Sequence, residues 1–306
     1  MNVFDATDLG YEFAAYLPMP TKIEPHFEEA LRHVLGNPGN LVRPRIVFQM
    51  AVAYDLSVDR AKDLAIALEY FHTSSLLFDD LPCMDNALRR RGAPCAHLAF
   101  GEAGAILSAL ALINRAYALV WRVACESPQN RQSQALNYIE HCLGVEGILD
   151  GQSLDLNYAT LPHDSETTRR IAFGKTVSLI RLTLVLPAIL GGASAHELRL
   201  LERIAMYWGL SYQIADDLKD VLQGSSETGK TAARDVLLDR PNTAIVLGIP
   251  DAVDRLVRLI RLGDKTLDRL LLSMPALAFL GKLRDDLQAE VTRVTQDACE
   301  LALTAP

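Results

Sequence analysis

The chain has 306 residues, with 30 Lys plus Arg against 38 Asp plus Glu, a formal balance of −8. That balance argues against a general nucleic-acid binder, which needs a basic face. A composition that is half hydrophobic and only 22% charged excludes disorder, and with 7% aromatic residues the core must be mostly aliphatic. The five cysteines, at 83, 95, 125, 142 and 299, make no CxxC pair and no zinc-spaced cluster, as expected of free thiols in a reducing cytosol. The start, MNVFDATDLG, lacks the basic-then-apolar pattern of a signal peptide, so a cytoplasmic chain is expected.

Along the chain, Leu and Ala recur at the i, i+3, i+4, i+7 spacing of helices. After a break at LGNPGN (35–40), residues 58–78 place Leu64, Leu68, Phe71, Ser75 and Phe78 on one stripe. The apolar stretch 103–121 is interrupted by Asn114 and Arg115, and a break follows at ESPQN (126–130). Residues 130–149 again read as a helix, with Ala135, Ile139, Cys142, Leu143 and Glu146 aligned, up to the break ATLPHD (159–164). The apolar stretch 177–193 is interrupted by Arg181 and Pro187, so neither apolar stretch reads as a membrane span. Beyond LGGASAH (190–196), residues 198–222 are apolar on almost every face, which predicts a central buried helix. Breaks at QGSSETG (223–229) and LDRPN (238–242) precede the last helices. Alternating Val/Ile/Thr strands with Asn-Gly turns are absent. The expectation is an all-α bundle of helices about 15–30 residues long, in one domain spanning 1–306.

Two groups of acids carry the chemistry. In FHTSSLLFDDLPCMDNALRRRG (71–92), Asp79, Asp80 and Asp85 end an apolar helix where Pro82 turns the chain, and Arg89, Arg90 and Arg91 follow. Carboxylates in apolar surroundings want a cation, and alternating acids and guanidiniums suit a magnesium-bound phosphate ester. Taken alone, the cluster is equally an acidic helix end neutralised by arginines. In SYQIADDLKDV (211–221), Asp216 and Asp220 share a helix face, with Gln213 and Asp217 beside them. Carboxylates near a helix C-terminus are disfavoured unless a cation is bound. Two such groups together make a shared metal site the better reading. Lys175, in FGKTVSL, and Lys230, in SETGKTA, add cations. Gly224 to Gly229 has P-loop spacing, yet no strand precedes it, so no P-loop is expected.

These residues resemble the trans-isoprenyl diphosphate synthases over nearly the whole chain. DDLPCMD and DDLKD resemble that family's two aspartate-rich motifs, and EYFHTSSLLFDDLPCMD, RRG, GEAGAILSALAL, GQSLDL, GKT at 174–176 and QIADDLKDV follow in the family's order. DNALRRRG and GEAGAIL look most like bacterial geranylgeranyl diphosphate synthases. The resemblance implies an isoprenoid synthase-type bundle around a deep central cavity, in a homodimer. It also implies three magnesium ions that bind an allylic diphosphate between the two motifs. The diphosphate departs, isopentenyl diphosphate attacks the allylic cation, and a proton is lost.

By the same resemblance Asp79, Asp85 and Asp216 ligate magnesium, supported by Asp80, Asp217 and Asp220. Arg90, Lys175, Thr176, Gln213 and Lys230 hold the allylic diphosphate, and Arg43, His72 and Arg91 the diphosphate of isopentenyl diphosphate. The small residues Ser74 and Ser75, where the family's shorter-chain enzymes carry an aromatic, imply a product longer than fifteen carbons, with twenty expected. One departure stands out. Where the family has Gly-Gly-Lys-Arg-x-Arg-Pro, this chain has Pro38-Gly39-Asn40-Leu41-Val42-Arg43-Pro44. A lost charge-assisted phosphate contact costs on the order of 1.5–3 kcal/mol unless replaced. Weak isopentenyl diphosphate binding, a substitute cation such as Arg45, or a chain that no longer elongates all remain open. The competing readings are a class I terpene synthase that ionises an allylic diphosphate without elongation, and a non-catalytic partner subunit.

Overall fold

The computed structural model describes residues 6–223 and 240–304. Among these residues the fold is all-α, apart from one hairpin of two two-residue strands. The chain forms two compact units, Met1–Ala135 with Pro187–Gly192, and Leu136–Leu186 with Ala193–Pro306.

The first unit contains α1 (Ala6–Ala15), α2 (Pro25–Leu35), α3 (Val42–Ala53), α4 (Val58–Asp79), the hairpin β1 (Arg89–Arg90) and β2 (Ala93–Pro94), and α5 (Ala96–Cys125). Its centre is α4, on which α3 and α5 pack. Leu64, Leu68 and Phe71 are buried as expected, but so is every other residue from Asp63 to Phe71. The helix is enclosed rather than one-sided, and its polar groups are partnered accordingly. Asp63 accepts from Arg122 at 2.5 and 2.6 Å, and the Tyr70 hydroxyl donates to the Phe13 carbonyl at 2.6 Å. The hairpin has the register Arg89 to Pro94 and Arg90 to Ala93. Its turn is Arg91-Gly92, with φ of 51° and 82°, the left-handed pair that a tight hairpin demands. A search for Asn-Gly does not find it.

Helix α5 bends at Gly101, where φ is 75°. It is long and apolar enough to cross a membrane by composition, yet Arg115 on it donates to the Tyr16 carbonyl at 2.5 Å. Leu107, Leu110, Tyr117 and Trp121 form a stripe along it that is about half exposed.

The second unit contains α6 (Gln129–Leu143, from Leu136 on), α7 (Ile148–Leu156), α8 (Ser165–Ala172), a π-helical turn (Phe173–Val177) and α9 (Ser178–Gly191, to Leu186). It continues with α10 (Ala195–Gln223), α11 (Thr243–Leu247), α12 (Ile249–Ser273) and α13 (Leu280–Thr304). Helix α6 stops short of the expected 149. A Cβ on Gly147 would lie 2.0 Å from the Cys142 carbonyl oxygen, so the chain turns where only glycine fits. Ser194 and Glu197 open α10 with reciprocal bonds, Glu197 N–H to Ser194 Oγ at 3.2 Å and Ser194 N–H to Glu197 Oε2 at 2.7 Å. Helix α10 is buried on several faces, as its composition predicts, and packs against α12 and α13 through Leu218, Leu222, Leu256 and Val294. The apolar segment 165–191 is likewise mostly buried.

Candidate active site

In the first unit, α4 ends at Asp79 and the chain folds back over its open carbonyls. Asp85 N–H donates to Asp79 O at 2.9 Å, Asn86 N–H to Leu81 O at 3.0 Å and Ala87 N–H to Asp80 O at 3.2 Å. This return brings the backbones of Asp79 and Asp85 together. Asp80 is 3% exposed, and its Oδ1 accepts from Arg90 Nε at 3.0 Å and Nη2 at 2.6 Å. Of the three acids, Asp80 therefore anchors the hairpin.

The next residue, Arg91, points into the unit. Its guanidinium donates to the Asn37 carbonyl at 2.9 Å and to the buried Glu69 carboxylate at 3.1 Å. A Cβ on Gly39 would lie 2.6 Å from Arg91 Nε, so glycine at 39 makes room for this side chain. Burial pushes the Glu69 carboxyl up to about 7, against the pull of Arg91 and Arg43. Arg43 Nη1 stands 2.9 Å from His72 Nε2. Arginine can only donate, so Nε2 accepts and Nδ1 carries the proton. Burial, reinforced by Arg43 and Arg91, holds the His72 pKa far below its ordinary value. The histidine thus stays neutral and orients Arg43, and its Nδ1 is buried without a partner. The expected group Arg43, His72 and Arg91 is brought together. Ser74 is buried with its hydroxyl turned onto the Phe71 carbonyl at 2.8 Å, while the half-buried Ser75 shares the helix face of His72 and Asp79.

In the second unit the expected cations and acids are tied into one ring. Lys175 Nζ donates to Asp155 Oδ2 at 2.7 Å, and Arg240 Nη1 reaches the same residue at its carbonyl, 3.1 Å away. Two residues beyond Arg240, Asn242 Nδ2 donates to the Asp217 carbonyl at 3.0 Å, and Thr243 N–H to Asp217 Oδ2 at 2.8 Å. Gln213 Nε2 holds the other Asp217 oxygen at 2.8 Å, and Thr176 Oγ1 donates to Gln213 Oε1 at 2.7 Å. Thr176 adjoins Lys175, which closes the ring. Asp217 is therefore a buried brace, and burial raises its pKa to about 6. Asp216 and Asp220 lie exposed on α10, near its C-terminal end.

Lys175 and Thr176 sit in the π-helical turn, a local widening that often marks functional sites. Its position is set by backbone contact. A Cβ on Gly174 would meet Gly151 Cα at 2.7 Å and the Gly147 carbonyl oxygen at 2.8 Å. Lys230 lies outside the described residues. The sequence reading missed Glu69, Asp155 and Arg240 as partners of the site. Asp155 was visible in GQSLDL, whereas LDRPN read only as a break.

The carboxylates fit magnesium. Aspartate oxygens are hard ligands, and the negative ends of α4 and α10 favour a cation. Among the described residues no three His, Cys, Asp or Glu side chains gather at one point.

Residues 24–268 match the polyprenyl synthetase family. The chain belongs to that family. It is an enzyme, a trans-prenyltransferase. It is 34% identical over 247 residues to a chloroplastic geranylgeranyl pyrophosphate synthase of Capsicum annuum, a match covering 80% of this chain and 67% of the relative. It is 36% identical over 208 residues to a geranylgeranyl diphosphate synthase of Pseudescherichia vulneris, covering 67% of this chain and 66% of the relative. Among solved structures, a geranyltransferase of Helicobacter pylori complexed with magnesium and isoprenyl diphosphate superposes with a TM-score of 0.75 at 25% identity, covering 96% of this chain and 98% of that one. Polyprenyl synthetase membership accords with the expected all-α class and with the family resemblance of the motifs.

Proposed function

We propose that this chain condenses isopentenyl diphosphate with an allylic prenyl diphosphate, head to tail, and that its product is geranylgeranyl diphosphate. The observation that carries the reading is the sorting of acids and cations within a family of prenyltransferases. Asp79 and Asp85 are set apart from Asp80, which Arg90 neutralises. Asp79, Asp85 and Asp216 hold magnesium, three ions when substrate is bound. Bound magnesium neutralises charge on the departing diphosphate. Arg90 binds Asp80 through Nε and Nη2 and offers Nη1 to a phosphate oxygen. Lys175 and Arg240 both reach Asp155 Oδ2, at 2.7 and 3.5 Å, which gathers two cations at one point for an anionic substrate. Thr176 and Gln213 fix the turn that carries Lys175. Arg43, oriented by neutral His72, and Arg91, held by Glu69, bind the diphosphate of isopentenyl diphosphate. A terpene synthase that ionises without elongation would have no use for that second cationic group.

Residues 1–306 act as one synthase domain in a cytoplasmic homodimer. The exposed stripe Leu107, Leu110, Tyr117 and Trp121 on α5 supports the dimer, because a contiguous apolar face of this kind calls for a covering surface. The free thiols of Cys83, Cys95, Cys125 and Cys142 accord with a reducing compartment.

The test is a product analysis with magnesium, isopentenyl diphosphate and each allylic diphosphate in turn. Elongated diphosphates of up to twenty carbons are expected. Hydrocarbon or alcohol from the allylic substrate alone, with no elongated diphosphate at millimolar isopentenyl diphosphate, would overturn the reading in favour of a terpene synthase.

A further inference from the structure

The loop 37–41 lacks the lysine and the first arginine of the family pattern, and neither replacement side chain offers a charge. Asn40 Oδ1 accepts from Val42 N–H at 3.3 Å, and Leu41 is 4% exposed, in a left-handed conformation at φ 52° that starts α3. A cation nonetheless stands at this point. Arg45, one turn into α3, curls back so that its Nη2 donates to the Asn40 carbonyl at 3.1 Å and its Nε to the Leu41 carbonyl at 3.3 Å. Both acceptors are neutral, and among the described residues no carboxylate pairs with Arg45. Among the described residues its hydrogen bonds use Nε and Nη2, and Nη1 makes none. The same loop is gripped from its other end by Arg91, which donates to Asn37 O and packs on Gly39. Gly39 and Asn40 are consecutive, with Cα atoms about 3.8 Å apart, so the two guanidiniums bracket one short stretch of backbone. A planar guanidinium fixed by two of its five donors is pre-organised to give the rest to a phosphate.

We infer that Arg45 supplies the cation that Asn40 does not, and binds the diphosphate of the non-allylic substrate beside Arg43 and Arg91. The inference rests on the proposed elongation reaction. The Asn40-Leu41 pair then marks a relocation of charge into the first turn of α3 rather than a loss of the second substrate.

Steady-state kinetics test it, varying isopentenyl diphosphate and the allylic diphosphate separately. Arg45→Gln keeps an amide donor for the loop carbonyls and removes the charge. It should raise KM for isopentenyl diphosphate about 10-fold or more, the scale of one charge-assisted contact. The allylic KM and kcat should stay within about 2-fold, and Asn40→Lys added to Arg45→Gln should restore KM. An Arg45→Gln enzyme with unchanged KM for isopentenyl diphosphate overturns the inference and leaves Arg45 a brace of the loop. Asn40→Lys alone is the second probe, and it leaves the brace intact. With Arg45 already in the role it should change KM by less than about 2-fold, whereas a drop of about 10-fold would show the position vacant and overturn the inference. A wild-type chain that makes no elongated product defeats the elongation reading itself, an outcome distinct from an active enzyme indifferent to Arg45.

Discussion

Glu69 and His72 titrate in opposite senses, and replacing one should uncover the other. Glu69 is 2% exposed against Arg91, Arg43 and Thr73, and its pKa rises from 4.5 to about 7. The native state therefore holds a proton that the unfolded chain has released. The stability this proton contributes is fully present below the ordinary carboxyl value and is lost as pH rises through about 7. At 1.36 kcal/mol per pKa unit, a shift of about 2.5 units amounts to about 3 kcal/mol. His72, one turn along α4 and held neutral beside Arg43, has a depressed pKa. Its contribution is present above the ordinary histidine value and lost as pH falls. Between about pH 4.5 and 6.5 the two slopes oppose each other and nearly cancel. Glu69→Gln removes the first and leaves the second. The urea midpoint of the variant should then fall relative to wild type as pH drops from 7 to 4.5, by the equivalent of about 3 kcal/mol across the window. Parallel pH profiles for the two proteins would refute the reasoning, because Glu69 would then titrate at its ordinary value in the folded state.

Gly174→Ala should lower stability by about 1–3 kcal/mol, since the added Cβ meets backbone that cannot yield; a thermal melt gives the shift, and the displacement of Lys175 should raise KM for the allylic substrate. Ser75→Phe should move the product toward fifteen carbons, because this half-buried position shares the face of His72 and Asp79, and chromatography of the dephosphorylated products reads the change. Ser74→Phe, in a fully buried position, should instead cost about 1–3 kcal/mol of stability by overpacking. Trp121→Glu, in the exposed stripe of α5, should convert the proposed homodimer to monomer in sedimentation; an unchanged sedimentation coefficient would refute the α5 stripe as a dimer contact.

The helices were legible because Leu and Ala at helical spacing bury a face whatever the neighbours are. Asp79, Asp85, Asp216 and Lys175 were legible as a set because their types and order are unusual in apolar surroundings. The π-helical turn was not. It depends on Gly174 meeting Gly151 in another element, and local propensity contains no trace of that approach. Arg45 was legible only as one of three alternatives, since a cation near a loop acquires meaning only when its hydrogen-bond acceptors are known.

The division of labour inside each acidic motif shows why spacing alone stops short. Asp79 and Asp80 are adjacent, as are Asp216 and Asp217. Adjacent residues on a helix point about 100° apart, so a pair at a helix end cannot serve one ligand equally. In each pair the second residue is buried and hydrogen-bonded by a group from outside the motif. For Asp80 that group is Arg90, ten positions on; for Asp217 it is Gln213 on the same helix and the backbone of Thr243, 26 positions on. The buried acid ties down a distant segment, the hairpin in one unit and the start of α11 in the other. The other acid is thereby held on a fixed frame. Sequence order presents the two as equivalent carboxylates, and only the partner's location distinguishes the one that holds the fold from the one proposed to bind an ion.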